Sequence, residues 1–157
     1  MPDAATPARL PGIRLAVHDG TTWAASGPGR FKKELTEFGW DERIRFVSYW
    51  RSGTGIKVTS NVQPVVASGW TRGPQELLLL VVNDSDRQAR VALTVDGTRF
   101  GYDSEELAAR FPPQGGLHAE RPGTSMTRSF RTGEPCQFDL PKHSWQLVRV
   151  SEPNPAK

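Results

Sequence analysis

Cysteine is almost absent from this sequence, which removes the covalent and metallic frameworks that stabilise many small domains. Cys136 is the single cysteine among 157 residues, so neither an internal disulfide nor a zinc site with several thiolate ligands can form. His118 and His143 lie far apart and have no second ligand at metal spacing, so both are expected on the surface. We therefore predict no metal and no cofactor.

Long apolar runs and a concentration of one charge are missing as well. No apolar stretch approaches the roughly 18 residues that a helix needs to span a bilayer, so no membrane partner is expected. The formal net charge is only +3, and Arg and Lys are spread among acidic neighbours. A nucleic-acid partner is not expected either, because the sequence offers no basic stripe for a phosphate backbone.

Turns and short apolar segments are what the sequence does contain. Gly and Pro supply 15 and 13 residues, so turns are frequent and long helices are not expected. Apolar residues make up 36% and charged residues 24% of the chain, a balance that is typical of a globular chain with one sizeable core.

The most apolar segment runs from Glu76 to Asn83 and reads ELLLLVVN. A continuous run of Leu and Val fits a strand buried on both faces, whereas the alternation from Arg90 to Val95 fits a strand covered on one face. The polar residues from Asn83 to Asp86 have the chemistry of a turn. We therefore expect the two strands to form the central hairpin of an antiparallel sheet.

Alternation at period two, bounded by turn residues, predicts further strands. They cover residues 44–50, 56–59, 63–71, 137–140 and 144–151. In the last of them the apolar side switches between Leu147 and Val148, which indicates either a bulge or burial of both faces. Residues 103–111 have the acidic start and the Pro-Pro stop of a short helix, and residues 114–128 are expected to be irregular.

The N-terminal forty residues follow another pattern, in which residues 12–18 alternate like a strand and residues 30–38 carry apolar side chains at helical spacing. The predicted fold class is mainly β, an antiparallel β-sandwich with an N-terminal β–α unit. The expected organisation is a flexible leader at residues 1–11, the β–α unit at 12–42, the β-sandwich domain at 43–151 and a flexible tail at 152–157.

Three stretches of the sequence resemble a known family. They are Gly12-x-x-Leu15-x-x-His18-Asp19, then Phe38-Gly39-Trp40-Asp41-Glu42, and then Phe46-Val47-Ser48-Tyr49-Trp50-Arg51. Together they look like the last piece of a glycoside-hydrolase-type (β/α)8 barrel entering a C-terminal β domain, and they are most similar to the uncharacterised group related to glycoside hydrolase family 123. Ser48 stands where that family has Pro. The segments Leu77–Asp84 and Leu140–Val150 resemble a buried strand and the last strand of such β domains.

The resemblance implies a function without catalysis of its own. The chain would be a C-terminal β-sandwich accessory or structural domain of a glycoside-hydrolase-like protein. Its partner would be the (β/α)8 barrel, in the same or a separate chain, and the ligand of the whole would be a glycan. A parent similar to secreted glycosidases would be extracellular or periplasmic. The alternative is a free-standing carbohydrate-binding module that uses exposed Trp residues.

Two polar residues are candidates for contact with a glycan. His18 and Asp19 come at the end of the first predicted strand. In a barrel, the C-terminal ends of the strands face the substrate, so either side chain could contact a sugar hydroxyl. Asp19 followed by Gly20 also has the composition of a plain turn, with His18 solvated beside it.

Two tryptophans are further candidates, since a flat indole face can stack on a sugar ring. Trp23 and Trp70 lie near predicted loops, where each could form a platform for a glycan or pack against the β–α unit. Trp50 and Trp145 lie inside alternating strands and are expected in the core.

No pair of acids suits glycoside cleavage, which needs two carboxyl groups roughly 5 to 10 Å apart across the scissile bond. The neighbouring acids of this chain are explained as solvated helix faces or charged helix starts: they are Glu34 and Glu37, Asp41 and Glu42, and Glu105 and Glu106. Ser144 and His143 do not form a nucleophile pair, because neighbours in a strand point to opposite faces. We predict no catalytic residue.

Overall fold

A computed structural model describes residues 36–39, 43–47, 53–116 and 124–153. Within these ranges the chain is almost entirely β, with helical residues only at 36–38 and in a 3-10 helix at Gly97–Phe100. The described strands are β1 Arg45–Val47, β2 Ile56–Ser60, β3 Val65–Thr71, β4 Leu77–Asn83, β5 Ala89–Val95, β6 Glu106–Phe111, β7 Gly115–Gly116, β8 Met126–Arg131, β9 Cys136–Leu140 and β10 Ser144–Ser151.

These strands form two antiparallel sheets, which confirms the prediction of a mainly β, sandwich-like fold. The large sheet has the strand order β1-β3-β4-β10-β6-β8, with β7 also paired to β10, and the small sheet has the order β2-β5-β9. One apolar cluster takes side chains from both sheets. The two sheets therefore lie face to face around a shared core.

The predicted hairpin of β4 and β5 is wrong, although both strands exist. β4 pairs with β3 and β10 in the large sheet, whereas β5 pairs with β2 and β9 in the small sheet. Every residue of β4 is buried, and β5 alternates between buried and partly exposed residues. A strand that is apolar on both faces needs cover on both sides, so β4 lies inside the large sheet. β5 needs cover on one face only and lies in the small sheet, and residues 84–88 connect the two sheets.

The last strand is confirmed, and the switch of its apolar side has a clear cause. β10 pairs with β4 in one unbroken register from Ser144 opposite Asn83 to Val150 opposite Leu77, so no bulge interrupts this ladder. Trp145 and Leu147 belong to one apolar cluster, and Val148 and Val150 belong to the other. Both faces of β10 are thus buried.

The helix predicted at residues 103–111 is wrong. Residues 106–111 form β6, in which Leu107, Ala109 and Phe111 are buried at period two. The acidic start suits a helix, but the spacing of these three side chains places them on one face of a strand. Pro112 and the next residue end the strand for the same reason that they would end a helix, because proline has no amide hydrogen to donate.

The segment expected to be irregular, residues 114–128, contains a short strand and the start of a longer one. Gly115–Gly116 pairs with Ser144 and Trp145 of β10, and β8 begins at Met126 and pairs with β6. β8 was missed because five of its six residues are exposed, which leaves a weak apolar signal.

The ends of the chain are described only in part. The predicted leader, and the β–α unit apart from residues 36–39, lie outside the described residues. At the other end, Glu152 accepts hydrogen bonds from the backbone amides of Asp103 and Ser104 at 2.6 and 2.7 Å. Glu152 is therefore anchored to the sandwich.

Candidate functional site

The face of the large sheet that points away from the small sheet is apolar. We call it the outer face. It consists of Trp70, Leu78, Leu80, Val82, Trp145 and Leu147, with Phe38, Ile44, Phe46 and Val66 packed against them. The first seven of these side chains are at most 1% exposed. An outer sheet face that meets water is normally polar, so this surface is built to be covered by a third layer.

The sequence builds the outer face through two central strands. In β4 the letters LLLLVV place Leu78, Leu80 and Val82 on the outer face and the alternate residues in the inter-sheet core. β10 lies beside β4 and adds Trp145 and Leu147 to the same surface. The outer face is thus a second core of the domain, continuous across the middle of the large sheet.

Trp70 lies on this surface, and of the two roles expected for it, the structure shows the packed one. The residue is 0% exposed and stands opposite Phe46 in the β1–β3 ladder, with the two ring centroids 5.8 Å apart and the planes tilted by 42°. Trp70 is the second-last residue of β3, within the strand predicted at 63–71 and next to the loop that follows it. An indole buried in this way fills volume and cannot serve as an open platform for a sugar ring.

Phe38 is the described residue that reaches this surface from the N-terminal part of the chain. It is the last residue of the helical turn at 36–38, is 1% exposed, and packs in the same cluster as Trp70 and Leu78. The Arg149 guanidinium carbon lies 5.3 Å from the centroid of the Phe38 ring, within the range of a cation–π contact. Phe38 is therefore in direct contact with the outer face.

The other predicted binding residues, His18, Asp19 and Trp23, lie outside the described residues, and so does Trp50. Trp145 is 0% exposed, which confirms its predicted place in the core.

His143 is confirmed as a surface residue. It occupies the turn before β10, and its Nε2 lies 3.0 Å from Oδ1 of Asp86, which is 95% exposed. A contact so open to water contributes little to stability.

Reactive groups among the described residues are few and have structural roles. Burial raises the pKa of the Cys136 thiol, which keeps the sulfur protonated and unreactive in β9. The Glu105 carboxylate pairs with Arg131 at 2.9 Å on the surface. In the part of the chain that the structure covers, no three residues of the kinds that bind metal ions lie close enough to hold one. Nor does that part contain a helix suited to crossing a bilayer.

Sequence reasoning missed the outer face, although two signals pointed to it. The continuous run in β4 and the switch of sides in β10 both require burial of two faces, and a two-layer sandwich covers only one face of each sheet. The fold and this surface define an antiparallel β-sandwich whose large sheet is apolar on both sides. No family model, no curated protein and no solved structure matches the chain.

Proposed function

We propose that this chain is an accessory β-sandwich domain of a larger glycoside-hydrolase-like protein, without catalysis of its own. The observation that supports the proposal is the outer face of the large sheet, which is apolar, buried and in contact with Phe38. In this role the outer face provides an apolar surface on which the N-terminal β–α unit packs. The packed unit in turn supports the last helix of a (β/α)8 barrel. Burial of apolar surface is the driving force for that contact.

The glycoside-hydrolase character rests on the resemblance of the motifs alone. Phe38 and Phe46, which belong to two of those motifs, both pack on the outer face. This packing supports a structural role for the resembling residues and says nothing of a substrate. The glycan, the barrel partner and an extracellular or periplasmic location remain parts of the proposal.

Removal of residues 1–42 tests the proposal. We expect the shortened chain to bind a hydrophobic dye such as anilinonaphthalene sulfonate and to melt at a lower temperature, because the outer face loses its contact with Phe38. A chain that lacks only residues 1–11 is the matched control and should behave as the full chain does. A 43–157 chain that stays as stable as the full chain and binds no dye would rule out a seat on this face.

Two further observations separate the proposal from its alternative. An accessory domain is expected to have β–α units encoded upstream of Met1 in the same reading frame or in a neighbouring gene. A free-standing binding module would instead show a saturable change of Trp fluorescence with polysaccharides that is lost in Trp23→Ala, since Trp70 and Trp145 are buried. Turnover of aryl glycosides by the full chain would contradict the absence of catalysis.

A further inference from the structure

One cleft of about 330 Å³ opens where the inter-sheet core meets the end of β6. Its walls come from the large sheet through Phe111 and Met126, and from the small sheet through Phe138 and Asp139. Phe111 and Phe138 meet edge to face with their centroids 5.1 Å apart and close the cleft toward the core. We call it the inter-sheet cleft.

The cleft exists because two prolines interrupt the large sheet. β6 pairs with β10 up to Arg110 opposite Arg149, and β7 resumes at Gly115 opposite Trp145. Four residues, 111–114, therefore lie opposite three, 146–148, which is the count of a β-bulge. Pro112 and Pro113 have no amide hydrogen, so no ladder bond can form from either of them.

Gln146 fills this break and forms the base of the cleft. It is 3% exposed, and its Nε2 donates to the carbonyl oxygens of Pro112 at 2.6 Å and Leu147 at 2.8 Å. Two carbonyl acceptors fix which end of the amide carries the nitrogen. Among the described residues none donates a hydrogen bond to Oε1, and Gln146 lines the cleft. Gln146 thus lines the cleft with an amide whose nitrogen is held by the backbone and whose oxygen is able to accept a hydrogen bond.

The mouth of the cleft has a donor and an acceptor of opposite charge. Arg128 donates from Nη1 to the carbonyl oxygen of Gln137, and its guanidinium carbon lies 5.8 Å from the Phe111 ring centroid. The Asp139 carboxylate is exposed and lies 3.8 Å from Nε of Arg90. Arg128 therefore joins the edge strands β8 and β9 across the opening, with donors left over for a ligand.

These features select a class of ligand. One positive and one negative group at the mouth favour a neutral molecule, and Oε1 of Gln146 can accept a hydrogen bond from a ligand donor. Met126, 51% exposed, offers an apolar contact at the rim. Phe111 and Phe138 are at most 7% exposed, so neither presents an open face to a flat heteroaromatic ring. A volume of about 330 Å³ is at the small end of ligand sites.

We propose that the inter-sheet cleft binds a small neutral polyhydroxylated ligand, such as a single sugar ring. A ring hydroxyl donates to Gln146 Oε1, further hydroxyls contact Arg128 and Asp139, and the C–H edge of the ring packs on Met126. The site is independent of the outer face and uses no tryptophan, so it stands whether or not the accessory role holds.

Met126 supplies the test, because the sequence contains only two methionines. Labelling the methionine methyl groups with carbon-13 gives two NMR signals, one from the cleft and one from Met1 as an internal control. We expect titration of the full chain with glucose, galactose, mannose or N-acetylglucosamine to shift the Met126 signal saturably and to leave Met1 unchanged. A dissociation constant on the order of 1 mM fits a ligand of about twelve non-hydrogen atoms.

Variants on one strand separate specific binding from a general effect of the sugar. Arg128→Ala should weaken binding by about tenfold, since a hydrogen bond to a charged group is lost, whereas Arg131→Ala, an exposed arginine on the same strand outside the cleft, should bind as the parent does. Gln146→Met keeps the length of the side chain without the acceptor and should abolish the shift. Arg128→Ala keeps the test valid if Gln146→Met fails to fold.

The proposal is wrong if none of the four sugars moves the Met126 signal in the parent chain. It is equally wrong if Met1 moves in parallel with Met126, or if Arg128→Ala and Arg131→Ala bind equally well. Dye binding by the chain without residues 1–42 bears on the outer face alone, so the two proposals can fail separately.

Discussion

Asn83, at the end of β4, stabilises parts of the fold that lie beyond its own strand. Its side chain is fully buried, and Nδ2 donates to the carbonyl oxygens of Arg87 at 2.9 Å, Leu140 at 2.9 Å and Pro141 at 3.1 Å. Its Oδ1 accepts from the amide and the hydroxyl of Ser85 at 2.9 and 2.6 Å. One side chain thus ties the crossing from β4 to β5 to the connection from β9 to β10.

The substitution Asn83→Asp keeps the shape of this side chain and removes its donors. An oxygen then faces three carbonyl oxygens in a buried site, so we expect a loss of about 3 kcal/mol in the free energy of unfolding, measured by urea denaturation. Asn61→Asp is the matched control, because exposed Asn61 uses only its oxygen, which accepts from the Arg90 amide at 2.7 Å. Equal effects at the two positions would contradict this role of Asn83.

Tyr102 makes the stability of the fold decrease at high pH. Its side chain is buried, its hydroxyl donates to the Val150 carbonyl oxygen at 2.6 Å, and burial raises its pKa well above the ordinary value of 10.0. A raised pKa means that the contribution to stability is complete below pH 10.0 and is lost as the pH rises toward the folded-state value, because the unfolded chain gives up the proton first.

We expect Tyr102→Phe to cost about 1 kcal/mol at pH 7 through the lost hydrogen bond. That deficit should shrink between pH 10 and pH 11, because only the parent loses stability from this phenol as the pH rises. Urea denaturation of both proteins at a series of pH values measures the difference, in which the titration of the other groups cancels. A deficit that stays constant to pH 11 would show that Tyr102 ionises as freely in the folded state as in the unfolded chain.

The turn that begins at Asn83 could be predicted from the sequence, but the contacts of the Asn83 side chain could not. Polar residues after the apolar run predict a turn, and a turn exists there. The carbonyl groups that Asn83 binds at Leu140 and Pro141 are 57 and 58 residues away along the chain. The base of the cleft was hidden for a similar reason, because Gln146 gains its role only when Pro112 lies opposite.

The strands themselves were largely predictable, and their partners were not. Period two located β2, β5, β9 and β10 almost to the residue, because alternation reports directly which side chains face a core. Sequence neighbours were then expected to pair, and β4 and β5 do not. Pairing is decided by how many faces of each strand need cover, which depends on the layers of the whole fold.

The two faces of β4 allow a test of the outer face as a true core. Leu78 and Leu79 are adjacent, 0% exposed and on opposite sides of the large sheet. We expect Leu78→Ala and Leu79→Ala each to lower the free energy of unfolding by roughly 2 to 5 kcal/mol, the usual range for a buried leucine. Denaturation with urea provides both values. A cost below about 1 kcal/mol for Leu78→Ala alone would mean that the outer face is a covered surface and not a packed core.

At the scale of the whole molecule, the small sheet depends on the large sheet for its stability. β2, β5 and β9 of the small sheet are each flanked in the chain by strands of the large sheet, so no local hairpin holds the small sheet together. Three strands joined only through another layer lack a stable existence of their own. The two sheets should therefore unfold as one unit.

Labelling of the single cysteine can test whether the two sheets unfold together. Cys136 is 5% exposed in β9, so a thiol reagent reacts with it only when the small sheet opens. We expect the free energy of opening from thiol labelling in urea to equal the free energy of global unfolding from circular dichroism. Labelling well below the unfolding midpoint would reveal a small sheet that separates while the large sheet persists.

The position of β10 also has a consequence for how the protein is made. This strand lies between β4 and β6 in the middle of the large sheet, yet it is the last of the described strands along the chain. During translation the leucine-rich β4 leaves the ribosome almost seventy residues before the strand that completes its hydrogen bonds. Until Val150 has been synthesised, β4 can pair with β3 but exposes its other edge, and an apolar strand with an open edge is a natural client for a chaperone.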